Sequence, residues 1–310
     1  LRLLQRLACN NMDRPAGSVI YTQFLDRQGG IVGDVTVTRL AGNHFRVVSG
    51  AAHVDSDLGW MRTHVQTDDP PVKIRDVTDD FAVIGLYGPR ARDVLSAVTG
   101  SDVSDDALPY MTAQTVNISG INVLAQRVSY VGELGWELYI RAGDSVFIWD
   151  ILWQAGQKHS IKAFGYKAVD ALRLERGFAA LANDITSEEN PYEARLGFCV
   201  KMNAGDFIGR QALIRKKAAG IRQRLSTLTI GGEEALALYG GEAVIFEGKV
   251  VSRLRSAGYG HTVKKNIGFA YLPVDRITEA ARLEVEVFGE TVTAEVAADI
   301  LYDPEGSARR

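Results

Sequence analysis

Two acidic residues stand in strand-like stretches with chemistry to offer. In YVGELGWELYI (130–140), alternation puts Trp136, Leu138 and Ile140 on one face of a strand, so Glu137 and Tyr139 point to the other. That second face carries a carboxylate among aromatic rings, where a wet strand face would show Lys, Thr or Ser. In GGIVGDVTVTR (29–39), Asp34 stands at the mouth of a strand just after a Gly-Gly turn, with Thr36 and Thr38 on its face. Carboxylates can accept hydrogen bonds from a ligand or take up a proton. Each also fits a blander reading, Glu137 as exposed decoration and Asp34 as a turn or strand-end residue. A third stretch, NDITSEENPYEARLGF (183–198), is a polar loop ending in an aromatic, either a cover for a ligand or ordinary surface.

Other chemistries are disfavoured. His44, His53, His64, His159 and His261 show no HxxxH or HExxH spacing and no Cys sits beside one, which speaks against a metal site. GYGHTV (258–263) lacks the third glycine of a dinucleotide fingerprint, no phosphate-loop Gly-Lys-Ser/Thr follows either Gly-rich turn, and no GxSxG occurs. Cys9 and Cys199 lie far apart in sequence and outside any CxxC, so a reducing compartment is favoured, cytoplasmic or, in a eukaryote, the mitochondrial matrix. The triplet Asn117-Ile118-Ser119 is then a chance sequon. With net charge −3 and basic runs no longer than Lys216–Lys217 and Lys264–Lys265, neither nucleic acid nor an anionic membrane surface is an expected partner. No apolar run approaches the about 18 residues of a membrane span.

The elements that must position the two acids follow from periodicity. At 310 residues and 46% hydrophobic, the chain can build roughly two or three domains. LRLLQRLACNN has Leu3, Leu4, Leu7 and Ala8 at helical spacing but no Met and no N-cap, which reads as a cut rather than a beginning. Short strands are expected at 18–25, 32–39 and 44–49, separated by turns at 26–30 and 41–43. Residues 89–100 read as a helix between Pro89 and Gly100, followed by strands near 114–118 and 121–129 and a turn at 132–135. Asp144 is expected to cap a helix reaching about residue 158 with Val146, Phe147, Ile151, Leu152 and Ala155 inward, and a further helix covers about 165–176. After a boundary near 221 come RLSTLTI, EAVIF, KVVSRL, NIGFAYL, RLEVEVF and TVTAEVA, the pattern of a small antiparallel barrel or sandwich. The whole is an α+β chain.

GGIVGDVTVTR, YVGELGWELYI, ALRLERGF, NDITSEENPYEARLGFCVKMNAGDFIGRQAL and SAGYGHTVKKNIGFAYLP occur in the order found in folate-dependent aminomethyltransferases, the T-protein family. The chain resembles still more sharply the C-terminal folate half of flavin-dependent amine demethylases of the dimethylglycine and sarcosine dehydrogenase and oxidase type. The resemblance implies a folate-binding body of split strand-helix-strand units over 1–220, truncated at its start, then a β-barrel domain over 221–310. It also implies an FAD domain upstream in the same polypeptide, with FAD absent from this chain and tetrahydrofolate as its own cofactor. By the same resemblance Glu137 holds the amino and ring N–H edge of the pterin, which a carboxylate can accept in bidentate fashion. Tyr130 lies against the ligand, Leu138 and Tyr139 line the pocket, and Phe198 covers the folate. Asp34, with Val35 and Thr36 beside it, matches the essential acid.

Two departures set this chain apart. T-proteins usually carry two adjacent acids where it has Gly33-Asp34, and an Arg-Asp pair where it has Val169-Asp170, with Arg173 nearby as a substitute. Both favour the amine-demethylase branch. The implied activity is capture of the one-carbon unit of an oxidised N-methyl amine as 5,10-methylenetetrahydrofolate, a folate-dependent transferase step within an oxidoreductase acting on CH–NH donors. Asp34 would stabilise developing positive charge and take or orient a proton, directly or through water. The alternatives are a free-standing aminomethyltransferase working with a lipoyl protein and a non-catalytic folate-binding paralogue.

Overall fold

Three sheets, each antiparallel, organise the chain, and the computed structural model describes residues 1–278 and 281–309. Helix α1 (Arg2–Leu7) leads into β1 (Val19–Leu25), β2 (Ile31–Ala41) and β3 (His44–Val48), which form the first sheet in chain order. Alternation along β2 gives this sheet two characters. Val35 and Val37 join Ile20, Phe24, Phe45 and Val47 on the back face, where Leu3, Leu4 and Leu7 of α1 and Trp60 and Met61 of α2 (Val54–Thr63) pack. The opposite face carries Asp34, Thr36 and Thr38.

The second sheet has the order β4-β7-β6-β5 and is built from β4 (Phe81–Tyr87), β5 (Ala113–Ile118), β6 (Ile121–Gln126) and β7 (Gly135–Arg141). Its back face, with Trp136, Leu138, Ile140, Val123, Ala125, Val116 and Ile118, is covered by α3 (Ala91–Val98) and α4 (Ser145–Gly156). Trp136, Leu138 and Ile140 thus share one face as alternation requires. In α4 the inward stripe runs through Ile148 and Leu152, with Ile151 and Ala155 at its edge, so Val146 and Phe147 are not core residues: they are 72% and 50% exposed. The first turn of α4 stands clear of the sheet, and the Asp144 side chain makes no capping bond there.

Helices α5 (Tyr166–Glu175) and α6 (Arg210–Ala219) precede a closed barrel of β8 (Gln223–Ile230), β9 (Ala243–Phe246), β10 (Lys249–Gly260), β11 (Lys265–Pro273), β12 (Arg282–Val287) and β13 (Glu290–Ala297). Leu228, Ile230, Val244, Leu254, Leu272, Leu283 and Val285 fill its interior. Leu174 of α5 packs with Leu225, Ile267, Phe269 and Tyr271, joining the barrel to the preceding body.

Candidate functional site

Asp34 is the fourth residue of β2, within the strand rather than at its mouth. The 183–198 segment runs directly against the β1–β2 turn, since a Cβ on Gly30 would lie 2.0 Å from the Ser187 carbonyl oxygen. Register then fixes Asp34's neighbours: Gln23 and Tyr21 of β1 lie opposite Asp34 and Thr36, and Val48 and Arg46 of β3 lie opposite Thr36 and Thr38. Directly paired residues share a face, so these side chains form one surface, polar except at Val48. Gln23 Nε2 donates to Asp34 Oδ1 at 2.9 Å. Asp34 keeps a partly open surface yet lies deep among protein atoms, and burial pushes its carboxyl up to about 6, against the opposing hydrogen bonds of Gln23 and Tyr21.

Glu137 faces this surface from the second sheet. It pairs with Gln126 on β6 and Gly85 on β4, and the Thr38 hydroxyl of β2 donates to Gln126 Oε1 at 2.5 Å. The Asp34 face of one sheet therefore meets the Glu137 face of the other. Asp34 lies four residues along β2 from that contact, a span of about 14 Å. The Tyr139 hydroxyl donates to Glu137 Oε2 at 2.7 Å, leaving Oε1 to accept from a ligand. Burial raises the Glu137 pKa, opposed by the Tyr139 bond. Arg46 lies over the rings of Phe81 and Tyr139, at 4.3 and 4.9 Å from their centroids.

Aromatic rings flank the Asp34 end. Tyr130 stacks on Phe178 at 5.9 Å and 10°, and its hydroxyl donates to the Ala179 carbonyl at 3.0 Å. Phe198, 65% exposed, stands 6.3 Å from the Tyr21 ring. Burial raises the pKa of both Tyr21 and Tyr130, and the Asp34 charge adds to the rise.

Other expected site residues are placed differently. Val35 and Leu138 turn their side chains into the two back-face cores, so only their backbones can meet a ligand in the cleft. Arg173 is 1% exposed and its donors are engaged: Nε with Asp170 at 2.8 Å, Nη1 with Asp184 at 2.7 Å and the Phe178 carbonyl at 3.0 Å, Nη2 with Ser256 at 2.5 Å. It ties α5 to β10 instead of offering a free guanidinium to the cleft. Tyr21, Gln23, Gln126, Arg46 and Phe178 escaped the sequence reading. The alternation in VIYTQFL puts Tyr21 and Gln23 on one face, but only the hairpin register places them across from Asp34.

A cavity of about 1960 Å³, lined by α1, β3, α2 and residues 66–78, borders the cleft at Arg46 and Tyr139 but includes neither Asp34, Tyr130 nor Glu137. The convergent acids and rings, not the volume, mark the candidate site. Among the described residues no three His, Cys, Asp or Glu side chains are grouped to hold a metal ion.

Residues 1–204 match the GCVT N-terminal domain, and residues 223–303 match the glycine cleavage T-protein C-terminal barrel domain. The chain belongs to the glycine cleavage T-protein family. This T-protein family chain is 35% identical to mitochondrial dimethylglycine dehydrogenase of Homo sapiens, over 100% of its own length and 36% of that protein's. It is 32% identical to mitochondrial sarcosine dehydrogenase of Mus musculus, over 95% of this chain and 34% of that one. The chain thus spans about a third of the dehydrogenases it matches. Aminomethyltransferase of Halothermothrix orenii is 30% identical, with 96% of this chain and 81% of that protein covered. The T-protein fold is shared with the crystal structure of glycine cleavage system aminomethyltransferase T from Bartonella henselae, at a TM-score of 0.85, 22% identity, and coverage of 100% and 81%.

Proposed function

We propose that this T-protein family chain binds tetrahydrofolate in the cleft between β2 and β7, and there accepts the one-carbon unit of an N-methyl amine oxidised at a flavin elsewhere in the same polypeptide. The observation that carries the reading is the Thr38–Gln126 bond, which turns a proton-accepting acid and a hydrogen-bonding acid toward one space. The residues suit the ligand: Glu137 has a carboxyl oxygen left to accept from an amino and ring N–H edge, and Tyr130 and Phe198 offer flat apolar surface. Tetrahydrofolate supplies the nucleophilic nitrogens that take up the carbon.

The protein's part is positioning and proton handling. Glu137, braced by Tyr139, orients the pterin edge, and Phe198 shields the cleft from water. Asp34, held at Oδ1 by Gln23, is mostly ionised near neutrality yet close enough to its pKa of about 6 to receive a proton from a reacting nitrogen. The same fixed charge favours a cation forming beside it. The match over this chain's whole length to dimethylglycine dehydrogenase supports the flavin-linked reading, while the coverage of the aminomethyltransferase supports a second one, a free-standing enzyme acting on a carrier protein.

Calorimetric titration of tetrahydrofolate into the purified chain tests the binding reading. Saturable one-to-one binding that weakens in Glu137→Ala is expected, and absence of binding in a folded sample overturns it. The chemistry is tested in the polypeptide containing both flavin and folate regions, because tetrahydrofolate and formaldehyde condense unaided. There Asp34→Asn should still oxidise the amine but release mainly formaldehyde, and undiminished delivery of 5,10-methylenetetrahydrofolate would remove Asp34 from the mechanism.

A further inference from the structure

Among the described residues four acids are more than nine-tenths buried: Asp57, Glu175, Asp184 and Glu189. Asp184 is paired with Arg173, Glu189 with Arg255, and Glu175 accepts backbone N–H groups of Thr262 and Val263. Among the described residues Asp57 has neither an ion pair nor a backbone donor; it is 3% exposed, and its buried Oδ2, like Oε2 of Glu175, accepts no hydrogen bond. A leucine would fill such a site without the cost of burying a polar group.

What Asp57 touches accounts for its presence. From α2 it reaches the back of β2, where its Oδ1 lies 2.8 Å from the position a Cβ on Gly33 would take. Phe24, the register partner of Gly33, crowds the same point at 3.2 Å. The Asp57 carboxyl therefore occupies the space of a side chain at residue 33, immediately before Asp34.

We propose that Asp57 is a positioning residue for Asp34: a second carboxyl group, brought from α2, that takes the side-chain space Gly33 leaves open and acts on Asp34 through the strand between them. The proposal deepens the proton-handling role given to Asp34 and rests on that reading for its functional meaning. Packing against Gly33 fixes the pleat that aims Asp34 into the cleft. Charge acts in the same place as a lesser influence: burial chiefly raises the Asp34 pKa, Gln23 and Tyr21 oppose the rise, and Asp57 adds to it. Burial raises the pKa of Asp57 itself against the influence of Ser49 and His53. Cys9, Cys199 and Tyr130 are the other titratable groups that sense Asp34.

Two measurements on the full chain test this, and neither uses folate, so their outcome is separable from that of the folate reading. Carboxyl carbon NMR titration should show the Asp34 midpoint falling by about half a pH unit or more in Asp57→Asn, which keeps shape and removes charge. Thermal unfolding should show Gly33→Ala strongly destabilising alone but less so in an Asp57→Ala background, where only the Phe24 ring still presses on the added methyl. If Gly33→Ala does not fold, recovery of folding in the double variant counts as that coupling. An unchanged Asp34 midpoint together with additive effects of the two substitutions overturns the proposal.

Discussion

The Thr38 hydroxyl and the Gln126 side chain are joined across two sheets by a bond of 2.5 Å, and the geometry of the cleft hangs on that contact. Among the described residues Gln126 Nε2 is buried without a partner, so the bond through Oε1 is its side chain's main tie to the opposite sheet. Thr38→Val keeps the shape and removes the donor. It should cost about 1–3 kcal/mol of stability, since a buried acceptor is left unsatisfied. Denaturant unfolding checks the loss, and a variant as stable as the parent would show that the sheets are held by packing alone.

Glu137→Ala should weaken tetrahydrofolate binding by about 3 kcal/mol, because hydrogen bonds to a charged group contribute about 1.5–3 kcal/mol each and their losses do not add. That is about a hundredfold in Kd. Tyr139→Phe removes only the brace on Oε2 and should produce a smaller loss. Calorimetry on both variants decides the matter, and an unchanged affinity in Glu137→Ala would return that residue to decoration.

Asp34 should make stability depend on pH in an unusual direction. Its carboxyl is raised from 3.8 to about 6, so the folded state holds the proton more tightly than the unfolded chain. This contribution to stability is fully present below 3.8 and is lost as pH rises through 6. A rise of that size is worth up to about 3 kcal/mol. Asp34→Asn should therefore be more stable than the parent at pH 8, by roughly 1–3 kcal/mol, and nearly equal to it at pH 4. Its tetrahydrofolate affinity should change by less than about 1 kcal/mol, while transfer slows by roughly 10² to 10⁴. Paired melting curves across the pH range test the first part.

The Arg173–Asp184–Ser256 network should behave as a buried ion pair. Arg173→Met leaves Asp184 charged with its main cationic partner gone, and a loss of about 3–5 kcal/mol is expected. Asp184→Asn in the same background should recover part of it. A double-mutant cycle reads the coupling, and zero coupling would reduce the network to a surface-like contact.

Much of the architecture is legible in period and punctuation. The six short segments after residue 221 are the six barrel strands, and the Trp136, Leu138, Ile140 stripe correctly leaves Glu137 and Tyr139 on the other face. Strand β4 was not legible, because Gly85 breaks its apolar run and its outer positions are half-exposed. Nor were α2 and α6, whose charged residues interrupt the apolar spacing. Val146 and Phe147 look inward on composition but extend past the sheet that would have covered them. At the site, residue type singled out Asp34 and Glu137, whereas register was needed to bring Gln23, Thr38 and Gln126 to them. Nearness in sequence did not reveal that the Arg173 donors are taken up by Asp170, Asp184, Ser256 and the Phe178 carbonyl.

Closure of the barrel has a consequence for handling and crowding. Each of its six strands has a neighbour on both sides, so it offers no open strand edge as a template for another chain. The two other sheets end in β1 and β3, and in β4 and β5; Ala8 bridges to Phe24 of β1 and Thr99 to Ile118 of β5, so among the described residues β3 and β4 are the less covered edges, both in the body that carries the cleft. Self-association on heating should therefore begin in that body and leave the barrel intact longest. Ligands that grip the cleft would then act as solubility agents as well as reactants.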